Sequence, residues 1–426
     1  MIHGLRRPGL QWLVAGAALL ALVVMFTAGL SVWFEHTLDE SATPVAGDAM
    51  REPVDPSLAQ RGAYLARVGH CAGCHTARGG AEMAGGRALP TPFGNVYAGN
   101  LTPDETTGLG RWSAHDFWRA LHLGRSRDGR MLLPVFPYPH FTQVTRSDSD
   151  ALHAYLRSLA PVRSATPPHE LRFPYNTQTA VAVWRLLSFR PSAPVVGQAP
   201  LTSLQRGAYL VQGLGHCGAC HAPRSAWGAA AEQLTGADMP GQRWHAPSLL
   251  PGGPGQGSVE DTVALLKSGG SVLGRASGPM AAVVGGSLQY WTDDDLRAAV
   301  LYLRSLPAQG AGRPSATPDV PDHEELGGRL YRAHCRDCHG VRGEGVTGIY
   351  PALAGNATVL QATALNLVQV ITHGGFGPTT GGNPRPFGMP PLVLGDAELA
   401  ALASHVRQSW GNQAGAVSSL DVLRLR

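Results

Sequence analysis

Cysteine is almost missing from this chain, with six in 426 residues. That leaves no stock for a disulfide scaffold. Charge is thin as well: 15% of residues are charged and the formal net charge is +4, too little for a nucleic-acid surface. No P-loop, no dinucleotide fingerprint and no Ser-His-Asp arrangement stands out. With 54 glycines and 33 prolines, short helices joined by long turns are expected.

What cysteine there is sits in one pattern. GHCAGCH (69–75), HCGACH (216–221) and HCRDCH (334–339) are three copies of C-x-x-C-H, and they use Cys71, Cys74, Cys217, Cys220, Cys335 and Cys338. A zinc site would pair two C-x-x-C units over about 12–20 residues, and these copies lie much farther apart. A thioredoxin-like motif needs a βαβ context, which none of the flanks supplies. C-x-x-C-H is the attachment signature of a c-type haem. The two thiols form thioethers with the haem vinyl groups, and the adjoining His75, His221 or His339 binds the iron. Three covalent haem c groups are expected.

The flanks repeat too. QRGAYLARVGHCAGCH (60–75) returns as QRGAYLVQGLGHCGACH (205–221) with one inserted residue, and more loosely as GGRLYRAHCRDCH (327–339). Each repeat closes with a helical pattern: SDSDALHAYLRSL (147–159), TDDDLRAAVLYLRSL (292–306) and DAELAALASHVRQSW (396–410). Ser147 with Asp150, and Thr292 with Asp295, have capping-box spacing, and Asp396 can cap alone. The fold class expected is all-α: three tandem cytochrome c-type domains behind an N-terminal transmembrane helix. Resemblance to the cytochrome c fold implies that first and last helices cross, with Gly62, Gly207 and Gly328 letting the backbones approach. Tyr64, Tyr209 and Tyr331 would pack the core.

The membrane helix rests on Trp12–Phe34, almost wholly apolar and long enough for a ~30 Å hydrocarbon layer. Arg6 and Arg7 precede it while Glu35, Asp39 and Glu40 follow, which places the body outside the cytoplasm. A cleaved signal segment is the rival, but its apolar core would be shorter. The boundaries read as anchor 1–37, domain one 57–160, linker 161–200, domain two 201–306, linker 307–322, domain three 323–412 and tail 413–426. The first linker carries an apolar stretch, Ala180–Phe189, too short to span a bilayer. It can lie on a membrane surface, cover a haem edge, face a partner or pack on domain one.

Electron carriers usually fill the iron's sixth position with methionine. Met280 lies 59 residues after His221 and Met389 lies 50 after His339, both in the loop before a closing helix. In domain one that place, PVFPYPHF (134–141), holds Phe136, which cannot bind iron. Two substitutes are near: His140, seven residues before Ser147 as Met389 is before Asp396, and Met131, 56 residues after His75. An open position is the third option. His70, His216 and His334 each precede a motif and suit a surface or propionate contact. Arg125, Arg127 and Arg130 either pair with propionates or form a solvated basic turn.

The combination of NLTPDETTGLGRWSAHDFWRAL (100–121), GPMAAVV (278–284) and FGMPPLVLGDAELAALASHVRQSWGN (387–412) with the three motifs resembles the membrane-bound tri-haem cytochrome c subunits of bacterial quinone-reducing dehydrogenases. PVFPYPHFTQVT followed by LRFPYNTQTAVAVWRLLSF is most similar to the branch serving molybdenum-containing hydroxylases such as aldehyde and nicotinate dehydrogenases. The alcohol dehydrogenase branch tends to have Met where Phe136 stands. The resemblance implies a catalytic molybdopterin subunit, a small [2Fe–2S] subunit, ubiquinone as acceptor, and a bacterial inner-membrane site with the haem domains facing the periplasm. Within the family the alternative is the cytochrome subunit of a quinoprotein alcohol dehydrogenase or a flavin sugar or gluconate dehydrogenase. Two other classes fit parts of the pattern: a peroxidase-like enzyme using an open haem in domain one, and a carrier feeding a terminal oxidase.

Overall fold

The computed structural model describes residues 54–192, 201–239, 241–253, 257–308 and 323–426, with a few scattered positions before them. Three opening helices, each crossed by a closing helix, make the frame. In domain one, Pro56–Val68 crosses Arg146–Ser158. The first is started by Asp55, whose carboxylate accepts the Ser57 N–H at 2.8 Å, and by Pro56 in its first turn. In domain two, Ser203–Ala208, continued by Tyr209–Leu214, crosses Asp293–Ser305; in domain three, His323–His334 crosses Asp396–Gln408.

A glycine sits at each crossing. A Cβ on Gly62 would overlap the carbonyl oxygen of Ala151, and one on Gly207 that of Ala298. In domain three the residue is Gly327, facing the carbonyl of Ala401, and not Gly328 as expected; Gly328 faces only the ends of the Arg332 and His405 side chains at 3.4 and 3.5 Å. The loose third repeat is therefore one residue out of register with the alignment of its glycines.

The caps also differ in detail. The helix expected to begin at Ser147 is capped two residues earlier by Thr145, whose hydroxyl accepts from the Asp148 N–H at 3.2 Å. Thr292 caps as expected, but the Asp295 carboxylate is turned elsewhere. At the third, Gly395 occupies the cap position and Glu398 accepts its N–H at 2.9 Å, while Asp396 pairs with Arg426 at 2.5 Å. The extra residue of the second repeat widens the helix into a π-turn over Tyr209–Leu214, where the Gly215 N–H reaches back to Leu210 at 2.7 Å.

The fold is not all helix. Ala88–Thr91, Gly94–Tyr97 and Glu170–Leu171 form a small antiparallel sheet, and three further two-stranded ladders pin loops in domains two and three. These hairpins clip the long loops that short helices leave behind. Domains one and two share one apolar core, with Leu65, Val68, Leu152 and Leu156 continuous with Leu210, Leu214 and Leu296. Domain three keeps its own around Val368, Leu399, Leu402 and Val406.

The linker stretch forms the helix Gln178–Ser188 and packs on domain one, where Phe189 meets Tyr138 edge-on with ring centroids 4.8 Å apart. It also reaches domain two, with Trp184 Nε1 donating to the Trp227 carbonyl at 2.8 Å. Residues 413–426 end in a helix, Ser419–Leu425, that buries Val422. Among the described residues no helix is long and apolar enough to cross a membrane. The Trp12–Phe34 run behind the anchor expectation lies almost entirely outside them.

Candidate functional site: three thiol–imidazole motifs

Each motif is a single helical turn after the opening helix: Cys71–His75, Gly218–His221 and Arg336–His339. In domains one and two the chain makes the corner with a histidine in the left-handed region, His70 at φ 52° and His216 at φ 38°. All six thiols are free, with Cys71, Cys217 and Cys335 half-buried and their partners exposed. Burial, then the neighbouring thiol, pushes Cys71 and Cys217 up to about 12 and Cys335 to about 11. At neutral pH they are protonated, unlike a thiolate redox centre. Among the described residues no group of three or more Cys, His, Asp or Glu is placed to hold a bare metal ion.

The histidines are oriented alike. His75 Nδ1 lies 2.7 Å from the Gly99 carbonyl, His221 Nδ1 2.7 Å from that of Pro247, and His339 Nδ1 2.9 Å from that of Pro351. A carbonyl only accepts, so Nδ1 carries the proton and Nε2 keeps its lone pair. Burial lowers all three pKa values against the opposing pull of the carbonyl, which keeps the rings neutral and ready to ligate. These acceptors were not singled out in the sequence, though a signal was there: AGNL, APSL and YPAL place Gly99, Pro247 and Pro351 each two residues before a leucine.

In domain one the motif opens on a cavity of ≈1130 Å³, larger than the usual small-ligand pocket. Its wall includes Cys71, Cys74, His75, Trp112, Phe117 and Phe136. Arg127 and Arg130 reach it as exposed side chains, pairing with Asp116 at 3.8 Å and Asp128 at 3.0 Å. Arg125 instead donates to the Gly129 carbonyl at 3.3 Å. A planar cofactor held by two thioethers, with one neutral imidazole and cations for its acidic edge, fits this set of groups.

Phe136 lines the cavity; Met131 and His140 do not. Arg130 and Leu132 face it, and Met131 between them is not part of the wall, its backbone tied to Gln178 at 2.8 and 3.1 Å. His140 points across to domain two, with Nδ1 3.2 Å from the Gln212 carbonyl and its ring against Gly218. Burial there, then the nearby His216, pushes His140 down to about 4. Met280, on the helix Gly278–Gly286, packs against the core that holds Cys217. Met389, in the strand Gly388–Met389, packs against the core that holds Cys335. Of the motif-preceding histidines, His70 and His216 line the domain-one cavity.

The sequence pattern of the cytochrome c family matches residues 59–160 and 324–410. The chain is 37% identical over 409 residues to the cytochrome c subunit of a quinone alcohol dehydrogenase from Gluconacetobacter polyoxogenes, covering 90% of this chain and 87% of that one. It is 35% identical over 407 residues to the gluconate 2-dehydrogenase cytochrome c subunit of Pantoea cypripedii, covering 88% and 91%. With a nicotinate dehydrogenase subunit of Pseudomonas putida it shares 38% over 398 residues, 88% of this chain but 33% of that protein. The chain belongs to the cytochrome c family, in the group of cytochrome c subunits that serve dehydrogenases.

Proposed function

We propose that this chain is the tri-haem electron-transfer subunit of a membrane-bound dehydrogenase complex, taking electrons from a catalytic partner and delivering them to ubiquinone. The observation that carries this reading is the threefold recurrence of a thiol pair beside an imidazole whose Nδ1 is committed to a backbone carbonyl. When bound, a haem supplies a one-electron couple. The protein's part is to anchor it through Cys71/Cys74, Cys217/Cys220 and Cys335/Cys338, ligate it through His75, His221 and His339, and exclude water. Met280 and Met389 are the proposed sixth ligands in domains two and three. In domain one the proposal is a face next to Phe136 that an added ligand can reach.

The partner class is open to two readings, each with its own support. Phe136 and the segment after it favour a molybdopterin subunit with a small [2Fe–2S] subunit, oxidising an aldehyde or N-heterocycle. The near-complete mutual coverage with subunits named for alcohol and gluconate dehydrogenases favours a quinoprotein or flavin partner. The proposed location is the bacterial inner membrane with the haem domains in the periplasm, supported by the apolar run and its flanking charges. Purifying the native complex in mild detergent and assaying molybdenum, pyrroloquinoline quinone and flavin separates the partners. A chain that purifies alone and reduces a terminal oxidase would overturn the dehydrogenase reading.

A further inference from the structure

This inference rests on reading the three motifs as haem sites, and concerns how the first two are held together. Tyr64, on the opening helix of domain one, donates its hydroxyl to Asp295 Oδ2 at 2.5 Å and accepts the Thr292 N–H at 3.2 Å. Tyr209, at the matching place in domain two, donates to Asp148 Oδ2 at 2.6 Å and accepts the Thr145 N–H at 3.3 Å. Thr145 and Thr292 cap the two closing helices. Each tyrosine thus plugs the N-terminus of the other domain's closing helix. Each aspartate also takes a guanidinium from its own domain: Arg61 Nε at 2.9 Å for Asp148, and Arg206 Nε and Nη2 at 2.8 and 2.7 Å for Asp295. Exchanging the two domains converts one set into the other, which is the self-complementary geometry of a two-fold interface.

The interface that these bonds close lies between the two attachment turns. Leu214 and His216 of domain two line the domain-one cavity. His140 of domain one lies against Gly218, His70 lies against Gly286, and Ser287 Oγ donates to the Val68 carbonyl at 3.1 Å. Among the described residues domain three has no counterpart of these bonds. With Gly327 at its crossing, the position of Tyr64 and Tyr209 is taken by Arg329, which pairs with Glu325 of its own helix at 2.5 Å. Its closing-helix carboxylate, Glu398, serves its own cap. Domain three docks on domain two by other bonds, Asn366 exchanging two hydrogen bonds of 2.8 Å with the His245 backbone.

We propose that Tyr64–Asp295 and Tyr209–Asp148 are a reciprocal clamp that fixes the separation of the first and second haem sites, and so the rate at which one electron passes between them. In that step one centre loses an electron, the other gains it, and no atom or proton is transferred. Asp148 is 2% exposed and Asp295 8%. Losing the Tyr209 hydroxyl therefore takes the donor from the buried Asp148 Oδ2, losing the Tyr64 hydroxyl leaves Asp295 Oδ2 to Arg206 alone, and either loss removes the acceptor of a cap N–H. Tyr64 and Tyr209 are positioning residues: they act through the interface and not on the iron.

The test uses the full chain with its haems, as Tyr64→Phe, Tyr209→Phe and the double variant, which keep the rings and remove only the hydroxyls. Haem content is measured by mass, exchange between the first two centres by flash reduction, and their separation by pulsed electron paramagnetic resonance. The clamp requires three haems throughout, a broadened separation, and exchange slowed severalfold in each single variant and by about tenfold or more in the double. Exchange between the second and third centres stays unchanged. A double variant with three haems, unaltered separation and unaltered exchange overturns the proposal, even with a lowered melting temperature, because that would mark a purely structural bond. If the double variant does not accumulate, Tyr64→Phe and Asp295→Asn are read by the same criteria. Fewer than three haems on the parent chain would refute the haem reading and not the clamp.

Discussion

The imidazole Nδ1 of His75 and the carbonyl oxygen of Gly99 lie 2.7 Å apart, 24 positions away from one another in the chain. That bond turns Nε2 into the cavity and fixes the ring's tautomer. Replacing His75 with Met keeps the thiols and exchanges the nitrogen ligand for a softer sulfur. The domain-one centre is expected to stay covalently attached while its midpoint potential rises, on the order of 0.1 V. A redox titration in which no centre moves would reject His75 as the ligand.

Phe136 makes a second prediction. With that ring in the cavity wall and neither Met131 nor His140 part of it, the reduced chain should bind carbon monoxide at one centre, with Phe136→Met abolishing it. Optical titration counts the sites. Binding that survives in Phe136→Met places the open face elsewhere, and no binding in the parent chain means another side chain fills it.

The helix crossings separate adjacent glycines. Gly327→Ala puts a methyl into the Ala401 carbonyl and should cost roughly 1–3 kcal/mol or more, as overpacking does. Gly328→Ala meets only yielding side-chain ends and should be neutral or stabilising by up to about 1 kcal/mol through helix propensity. Denaturation midpoints of the two variants give the order, and equal effects would refute the register described above.

The Asp295 carboxyl is opposed by burial but held below its usual pKa by Arg206 and Tyr64. A depressed folded pKa contributes stability that is present above the unfolded value and lost as pH falls through the folded one. Asp295→Asn should therefore be less stable than the parent near neutrality, and the gap should begin to narrow below about pH 4 and close as pH falls through the lower folded value. Melting curves across pH 3–7 test this, and a gap that widens on acidification contradicts it.

Deleting one thiol pair tests the count of centres. Cys335→Ala/Cys338→Ala should lower the pyridine haemochrome signal by about one third. Domains one and two keep their shared core, so their adducts should persist. Loss of all signal would mean that attachment is cooperative across the chain.

The parts of the site that the sequence made legible are the local ones. C-x-x-C-H, a run of fixed spacing, needs no partner to be recognised, and the capped closing helices announce themselves by period and first-turn acids. Two kinds of feature escaped. The first is register in a weak repeat: Gly327 and Gly328 are both glycine, and only the crossing with Ala401 distinguishes them. The second is long-range pairing. Tyr64 reads as a core tyrosine because its sequence neighbours are apolar, and nothing near it reveals an aspartate 231 residues on. His140 is a related case: counting from Ser147 puts it before the iron, and no neighbour in sequence reveals its contacts with the Gln212 carbonyl and Gly218 of the next domain.

The common interior of the first two repeats decides where the polypeptide tolerates scission. Separating the chain within 307–322 divides no apolar core and breaks only polar bonds such as those of Asn366 with His245, whereas separating it within 193–200 parts Leu210 and Leu214 from Leu65 and Leu152. The units of packing here are a pair and a single, although the chain repeats its motif three times.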